Sequence, residues 1–495
     1  MSGVRFLLLP AEQHATAARN QLPSTERTPP MIKQIFTLVE LLAALNDPQP
    51  ATLELQASIL CPSSIILPAG FNIIGADKEK CMLSFSVGDG IGLTANNEIS
   101  TITVQTNPGN RAIYVQGNSP DLGTITLKNL TVTGQVQILT RAGTINAQLV
   151  ADTIDIVACD ARRYSEQPLK YGVNVYQGAF TVYNYNSDEN SLLNVTLTNI
   201  SLGRKGAPVI GSGLFVGGFG DIGGRVLADT ITTGDIYSNG MIPFGQPNRI
   251  TGGVFILNGA RVKNLVNQGT LTTYGVNDMV LDAWGHVEKW TAEKAITSYG
   301  PSGIGFVNFG VVDEFEAKEK IETFGGGARG FNQYDGTIGK ATFHSIITNG
   351  DGSIGMQFSK PVGSITVLNS VVTHGSKGQT LVKGVISTLP ADAISVKSGG
   401  EIRELTIAGG ITTHGDNVHS YNVEGGVVKQ LSVEGDITAN GKSSVAVKVS
   451  DDGKTPLANI SAKSTQGTAV QIAKGKITDR KGLTAKGAKG NIVEN

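Results

Sequence analysis

Along most of this chain apolar residues alternate with polar ones in short runs that end at a glycine. ISTITVQT (99–106), GIGFVNF (303–309) and VVDEFEAK (311–318) are examples. A period of two predicts short, half-buried strands. Aligning the runs on the glycine that closes each [Ile/Val/Leu]-x-[Thr/Ser]-x-Gly stretch gives Gly275, Gly300, Gly325, Gly350 and Gly375, a constant step of 25 residues. Gly240 precedes this series, while Gly415 and Gly441 continue it. A second column keeps the same register: Val262, Val287, Val312, Val362, Ile402 and Val428 each lie thirteen residues before their glycine.

One such unit cannot bury a face alone. Stacked units align their apolar positions into a continuous interior, and parallel strands satisfy one another's backbone groups. The pattern therefore predicts an all-β fold, a single-stranded parallel β-helix with coils of ~25 residues. Leucine-rich repeats share the period, but their L-x-x-L-x-L-x-x-N pattern is absent here. A propeller blade needs about 40 residues or more.

The predicted organisation is a disordered leader over 1–30, an amphipathic capping helix over 31–48, the β-helix over 49–478 and a C-terminal tail over 479–495. Loops are expected at 159–190, 241–250 and 379–393, where the register is interrupted. In IFTLVELLAALNDP, Ile35, Leu38, Val39, Leu42 and Leu45 follow helical spacing, and Asn46-Asp47-Pro48 stops the helix. That stretch is similar to the prepilin signature, but no glycine precedes Phe36 and the apolar run is far too short to span a bilayer.

Two other motifs resemble chemistry. GGFGDIGG (217–224) contains G-x-G-x-x-G, yet RVLADTITTGDIYSNG follows, which is β-branched and not the helix a dinucleotide site requires. The pair of Thr-His-Gly triplets at His374 and His414 falls on the position before the landmark glycine. Other coils place Tyr274, Tyr299, Phe324, Asn349 and Asn440 there, so the histidines belong to a ladder at a turn, with glycine supplying positive φ.

Composition narrows the function classes. Forty basic residues against forty-one acidic ones give a net charge of −1, which offers no bulk attraction for nucleic acid or anionic membrane. Three cysteines are too few, and odd in number, for a disulfide framework. No apolar run is long enough for a transmembrane helix, and FLLLPA (6–11) is too short for a Sec signal. A cytoplasmic protein, or one exported by a non-Sec route, is expected. No metal-ligand or cofactor motif is present, so neither a metal nor a cofactor is expected.

The helix followed by SIILPAGFNIIG (64–75) resembles the first coil of the pectate-lyase-like right-handed β-helix superfamily. The resemblance implies a right-handed helix with a carbohydrate-binding groove on one flank. The superfamily's catalytic patterns do not carry over. The polygalacturonase series of Asn-x-Asp, paired aspartates, Gly-His-Gly and Arg-x-Lys is not found in that order: the only Asp pair, Asp451-Asp452, lies in a late turn, the His-Gly pairs lie in the turn ladder, and no Arg-x-Lys follows them.

Both later insertions leave from the same corner, about 24 Å apart along the axis at the usual strand spacing. They would bracket a trough floored by the strand after each landmark glycine. Leu281, Phe306, Phe331 and Met356 face inward on that strand. Val280, Gly305, Gly330 and Gly355 form a flat outward strip beside a polar column of Asp282, Asn332, Gln357, Lys397 and Asn422. Asn332, Gln357, Lys397 and Asn422 are the candidate substrate-binding residues, since amides and ammonium groups bond sugar hydroxyls. Asp278 and Asp282 are the candidate acid–base pair, with Arg329 as their charge partner. The sequence thus points to a polysaccharide or extended glycan as partner, bound and processed on one flank. The alternative is a non-catalytic structural or adhesin-like scaffold, with a homotrimer as its oligomer.

Overall fold

Each alternating run becomes a strand, and each coil contributes three. In the coil after Gly275 these are Asp278–Ala283, His286–Ala292 and Ile296–Ser298. The computed structural model describes residues 31–494 apart from Phe244, Lys383 and Gly384, so the expected leader over 1–30 lies outside the described residues. The chain is nearly all β, in long parallel sheets that fit an all-β parallel solenoid.

The sequence columns are neighbours in register. Val262 pairs with Val287 and Val287 with Val312. Ile338 then takes the next place, one residue late, because the turn at Asp335-Gly336 holds an additional residue. Leu281, Phe306, Phe331 and Met356 pair in succession and are wholly buried. Phe331 lies 5.5 Å from Phe306 and 5.1 Å from Phe343, ring centre to ring centre. The apolar interior runs without a break from Ile35 to Ile477.

The landmark glycines stack with a different purpose from the one expected. None has positive φ. A Cβ on Gly300 would stand 1.7 Å from the carbonyl oxygen of Gly275, and one on Gly325 2.1 Å from that of Gly300. Glycine is needed because successive corners touch backbone to backbone. Positive φ falls two residues later, at Asn277, Ser302, Gly327, Gly352, Asn417 and Ser443. The ladder before the glycines is as expected. The rings of Tyr274, Tyr299 and Phe324 stack at 5.5 and 5.1 Å, and those of His374 and His414 at 4.8 Å with only 6° between planes.

Four expected boundaries change. Residues 31–48 are not one helix: Met31–Ile35 is a strand paired with Ala51–Leu55, and the helix covers Leu38–Leu45. A capping box sets its start, with Thr37 Oγ1 accepting from the Glu40 amide and Glu40 Oε2 accepting from the Phe36 and Thr37 amides. The helix buries Leu41 and Ala44 over the first coil, leaving Val39 and Leu42 exposed, so its inner face is rotated from the predicted one. Residues 479–495 are no tail. Thr484–Gly487 and Gly490–Glu494 pair with the preceding coil and continue the solenoid. Within 159–190, Gly178–Asn184 is a strand paired into the stack, and Leu169–Lys170 forms a small antiparallel ladder with Val173–Val175. The insertion at 379–393 begins earlier, as an antiparallel hairpin of Lys377–Val382 with Val385–Pro390.

Candidate functional site

The face expected to hold an open trough is covered. Thr380 Oγ1 donates to the Gly327 carbonyl, the Leu381 amide donates to Ser302 Oγ, and Arg329 Nη1 donates to the Leu381 carbonyl. These bonds lay the 377–390 hairpin back over the strands it was expected to flank. Tyr171 and Val173 of the earlier excursion reach the same face, where they join a second apolar cluster with Ile250, Trp284, Ile304 and Val307. The hairpin and the 159–190 excursion therefore pack down as covers.

The predicted site residues scatter beneath these covers. Val280 is in the main core, and a Cβ on Gly305 or Gly330 would run into Ile321 or Ile346, so that strip faces inward. Lys397 leaves the polar column because counting across the insertion slips by two; Ser395 takes the place between Gln357 and Asn422. Lys397 instead pairs with Glu424 at 2.5 Å. Asn332, Gln357 and Asn422 do share the column, but all three are buried. Gln357 bonds Ser359, Asn422 bonds Asp392, and the Asn332 amide has no partner among the described residues. None of them is placed to meet a glycan in solvent.

Asp278 and Asp282 do not form an acid–base pair. Asp278 is fully buried and ties a corner together, accepting from the Gly240 and Gly275 amides at 3.1 and 3.2 Å and from Thr251 Oγ1 at 3.0 Å. Burial pushes its carboxyl up to about 6 despite those donors. Because this value exceeds that of the unfolded chain, the native state holds the proton more tightly. The stability it contributes is present below about pH 4 and is lost as pH rises through 6. Urea midpoints measured from pH 4 to pH 7 are expected to fall more in the native protein than in Asp278→Asn; parallel curves would contradict the assignment.

Asp282 is also fully buried, and among the described residues only the Trp284 indole is near enough to favour its charged form, at less than hydrogen-bond quality. Burial holds its carboxyl well above the usual carboxylate range, the adjacent Trp284 indole opposing this only in part. Arg329 is 1% exposed, and its Nε and Nη2 have no hydrogen-bond partner among the described residues.

Sequence reasoning passed over His419, within the same ITTHGDNVHS stretch that carries His414. Its backbone amide and Nδ1 contact Asp392 Oδ1 at 2.8 and 2.9 Å, and Asn422 donates to Oδ2 at 2.9 Å. Burial works against the Asp392 charge, but the His419 charge and these hydrogen bonds outweigh it and hold the carboxyl low. The pair closes the base of the 377–390 insertion. Its only sequence signal is a lone Asp-Ala after Pro390, which no spacing rule singles out.

An open polar trench lies elsewhere, on the flank made by strands Asn146–Ala158, Leu192–Leu202, Arg225–Asn239, Ala260–Asn267 and His286–Ala292. Its volume is about 640 Å³. Gln148, Asn194, Leu227 and Arg261 form one column along its floor, about 14 Å over three strand spacings. The glycine-rich turn 217–224 builds one wall. A Cβ on Gly218 would stand 2.8 Å from the Gly259 Cα, so the glycines let two corners meet and bring Asp221 to the rim. The strand Arg225–Asn239 follows directly, as its β-branched sequence requires and a dinucleotide site does not allow. Lys263 pairs with Asp229 at 2.5 Å and Arg261 with Glu288 at 2.8 Å, while the exposed side chains of Asn194 and Arg225 have no hydrogen-bond or ion-pair partner among the described residues.

Among the described residues no helix is long and apolar enough to cross a membrane. No family model, curated protein or solved structure matches the chain.

Proposed function

We propose that the chain is a pectate-lyase-like parallel β-helix that binds an extended glycan along the trench on its 146–292 flank. The observation that carries this reading is the trench itself. It runs along the solenoid axis, and its floor and rim present amide, hydroxyl and charged groups from successive coils at a constant step. Such spacing suits a polymer of repeated hydroxylated units, with amide groups at Gln148 and Asn194 and a guanidinium at Arg261 to meet its hydroxyls. Binding without turnover is the reading favoured by the burial of Asp278, Asp282 and Arg329, which keeps them from any solvent-borne chain. That burial also favours the second reading, a non-catalytic scaffold with no glycan ligand.

A glycan array probed with the purified protein separates the two. Retention of one polysaccharide class is expected, weakened about tenfold by the double variant Asn194→Ala, Arg225→Ala, which removes the two unpaired trench groups, a loss of about 1.4 kcal/mol. Asn332→Ala should leave retention unchanged. If no glycan is retained, or if the trench variant binds as before, the scaffold reading stands instead.

A further inference from the structure

The charges along the trench cancel. Its floor and rim carry three cations, Arg225, Arg261 and Lys263, against three carboxylates, Asp221, Asp229 and Glu288. Two of the cations are engaged within the trench, Lys263 by Asp229 at 2.5 Å and Arg261 by Glu288 at 2.8 Å. Asp221 is held by Lys170 at 2.8 Å. Arg225 is left as the cation of the lining with no ion-pair partner among the described residues.

An adjoining hollow of about 350 Å³ shares Asp221 and Arg225 with the trench and adds Glu189. The lining of the two together therefore holds three cations and four carboxylates. With Lys170 counted beside Asp221, the balance is four against four. Arg225 belongs to both spaces, and the one carboxylate that the hollow adds offsets it.

We propose that the trench selects uncharged polysaccharides and discriminates against polyuronates and sulfated glycans. This inference rests on the glycan reading of the trench and adds the class of polymer to it. Each unit of a polyuronate carries a carboxylate, so a chain laid along the floor presents several anions in a row. Arg225 can meet one of them. The others lie among Asp221, Asp229 and Glu288, where like charges repel. Recruiting Arg261 or Lys263 instead strips Glu288 or Asp229 of its partner, and a lining with no net charge draws in no polyanion. A hydroxyl, by contrast, donates and accepts at once. It can bond the spare lone pairs of a paired carboxylate and the spare N–H groups of a paired guanidinium while both ion pairs stay intact. The side chains of Gln148 and Asn194, neighbours on the same floor, add uncharged donors and acceptors.

The test is retention of the intact protein on immobilised cellulose, galactomannan and dextran as uncharged polymers, beside polygalacturonate and heparin as anionic ones. At least one uncharged polymer is expected to hold the protein about tenfold or more tighter than either polyanion. That retention should change by less than about twofold between about 0.05 and 0.5 M salt, because no net charge is being screened. The double variant Asp229→Asn, Glu288→Gln frees Lys263 and Arg261. Both carboxylates are on the surface, with side chains 72% and 35% exposed, so their loss leaves the core intact. This variant should gain about tenfold or more in retention on polygalacturonate at about 0.05 M salt. Native protein that holds polygalacturonate or heparin as tightly as any uncharged polymer overturns the selectivity alone, and so does a charge variant that gains nothing. No retention on any polymer, or retention that Asn194→Ala, Arg225→Ala leaves unchanged, overturns the trench reading itself and the selectivity with it.

Discussion

Gly300→Ala is expected to destabilise the solenoid by about 3 kcal/mol, the upper end of what overpacking costs. The new methyl carbon would stand 1.7 Å from the Gly275 carbonyl oxygen and 2.3 Å from its carbon. Those atoms belong to the backbone of the coil below and cannot rotate aside, so the two corners must separate. Separation weakens the amide bonds that join them, including Tyr299 N to Thr273 O at 2.9 Å and Asn277 N to Pro301 O at 3.0 Å. Gly327→Ala gives a contrast, since Gly327 has a φ of 69° and lies against Thr380 of the hairpin. That change should loosen the hairpin before the stack. Urea denaturation with hydrogen exchange distinguishes the two. Loss of protection centred on coils 275–325 is expected for Gly300→Ala, and an unchanged midpoint would refute the backbone-contact account.

The same glycine column shows what the sequence could and could not convey. A constant 25-residue step reveals that residues one step apart are neighbours, and this made the inner aromatic ladder and the His374–His414 stack readable before any coordinates. It does not reveal which physical demand fixes the glycine. Backbone contact and positive φ both select glycine, and here the two demands sit two residues apart. The site was less legible for a related reason. A period describes what repeats, while the cover over Asp282 is made by Tyr171, Val173 and Leu381, which do not repeat. Alternation predicts that Asp282 and Asn332 leave the main core, and they do. Whether solvent or another segment meets them depends on where an aperiodic insertion folds, and apolar Leu381 and Val382 in the hairpin were the only hint. Lys397 was misplaced because the register was carried across that same insertion by counting. The trench was missed because its wall is the glycine-rich turn, whose motif drew attention to phosphate binding and away from its shape.

The inner and outer ladders differ sharply in what they contribute, and one pair of substitutions measures this. Phe331→Ala is expected to cost about 3–5 kcal/mol, the usual loss for a buried phenylalanine whose cavity cannot collapse. Phe331 is wholly buried and packs on Phe306, Phe343 and Phe358 at 5.5, 5.1 and 5.5 Å. Parallel strands hold the neighbouring coils at a fixed spacing, so the surrounding rings cannot close over the void. Phe324→Ala removes a ring of the same chemistry from the outer ladder, where it is 42% exposed and stacks only on Tyr299 at 5.1 Å. Its loss should cost under about 1 kcal/mol, close to an aromatic pair interaction alone. Because each coil contacts only its neighbours, the Phe331 defect should stay local. Hydrogen exchange should rise over the coils from Phe306 to Phe358, while the capped end near Leu41 keeps its protection. Equal losses for the two variants, or exchange that rises uniformly from Met31 to Glu494, would mean that the interior behaves as one globular core and that the stacked-coil account of its energetics is wrong.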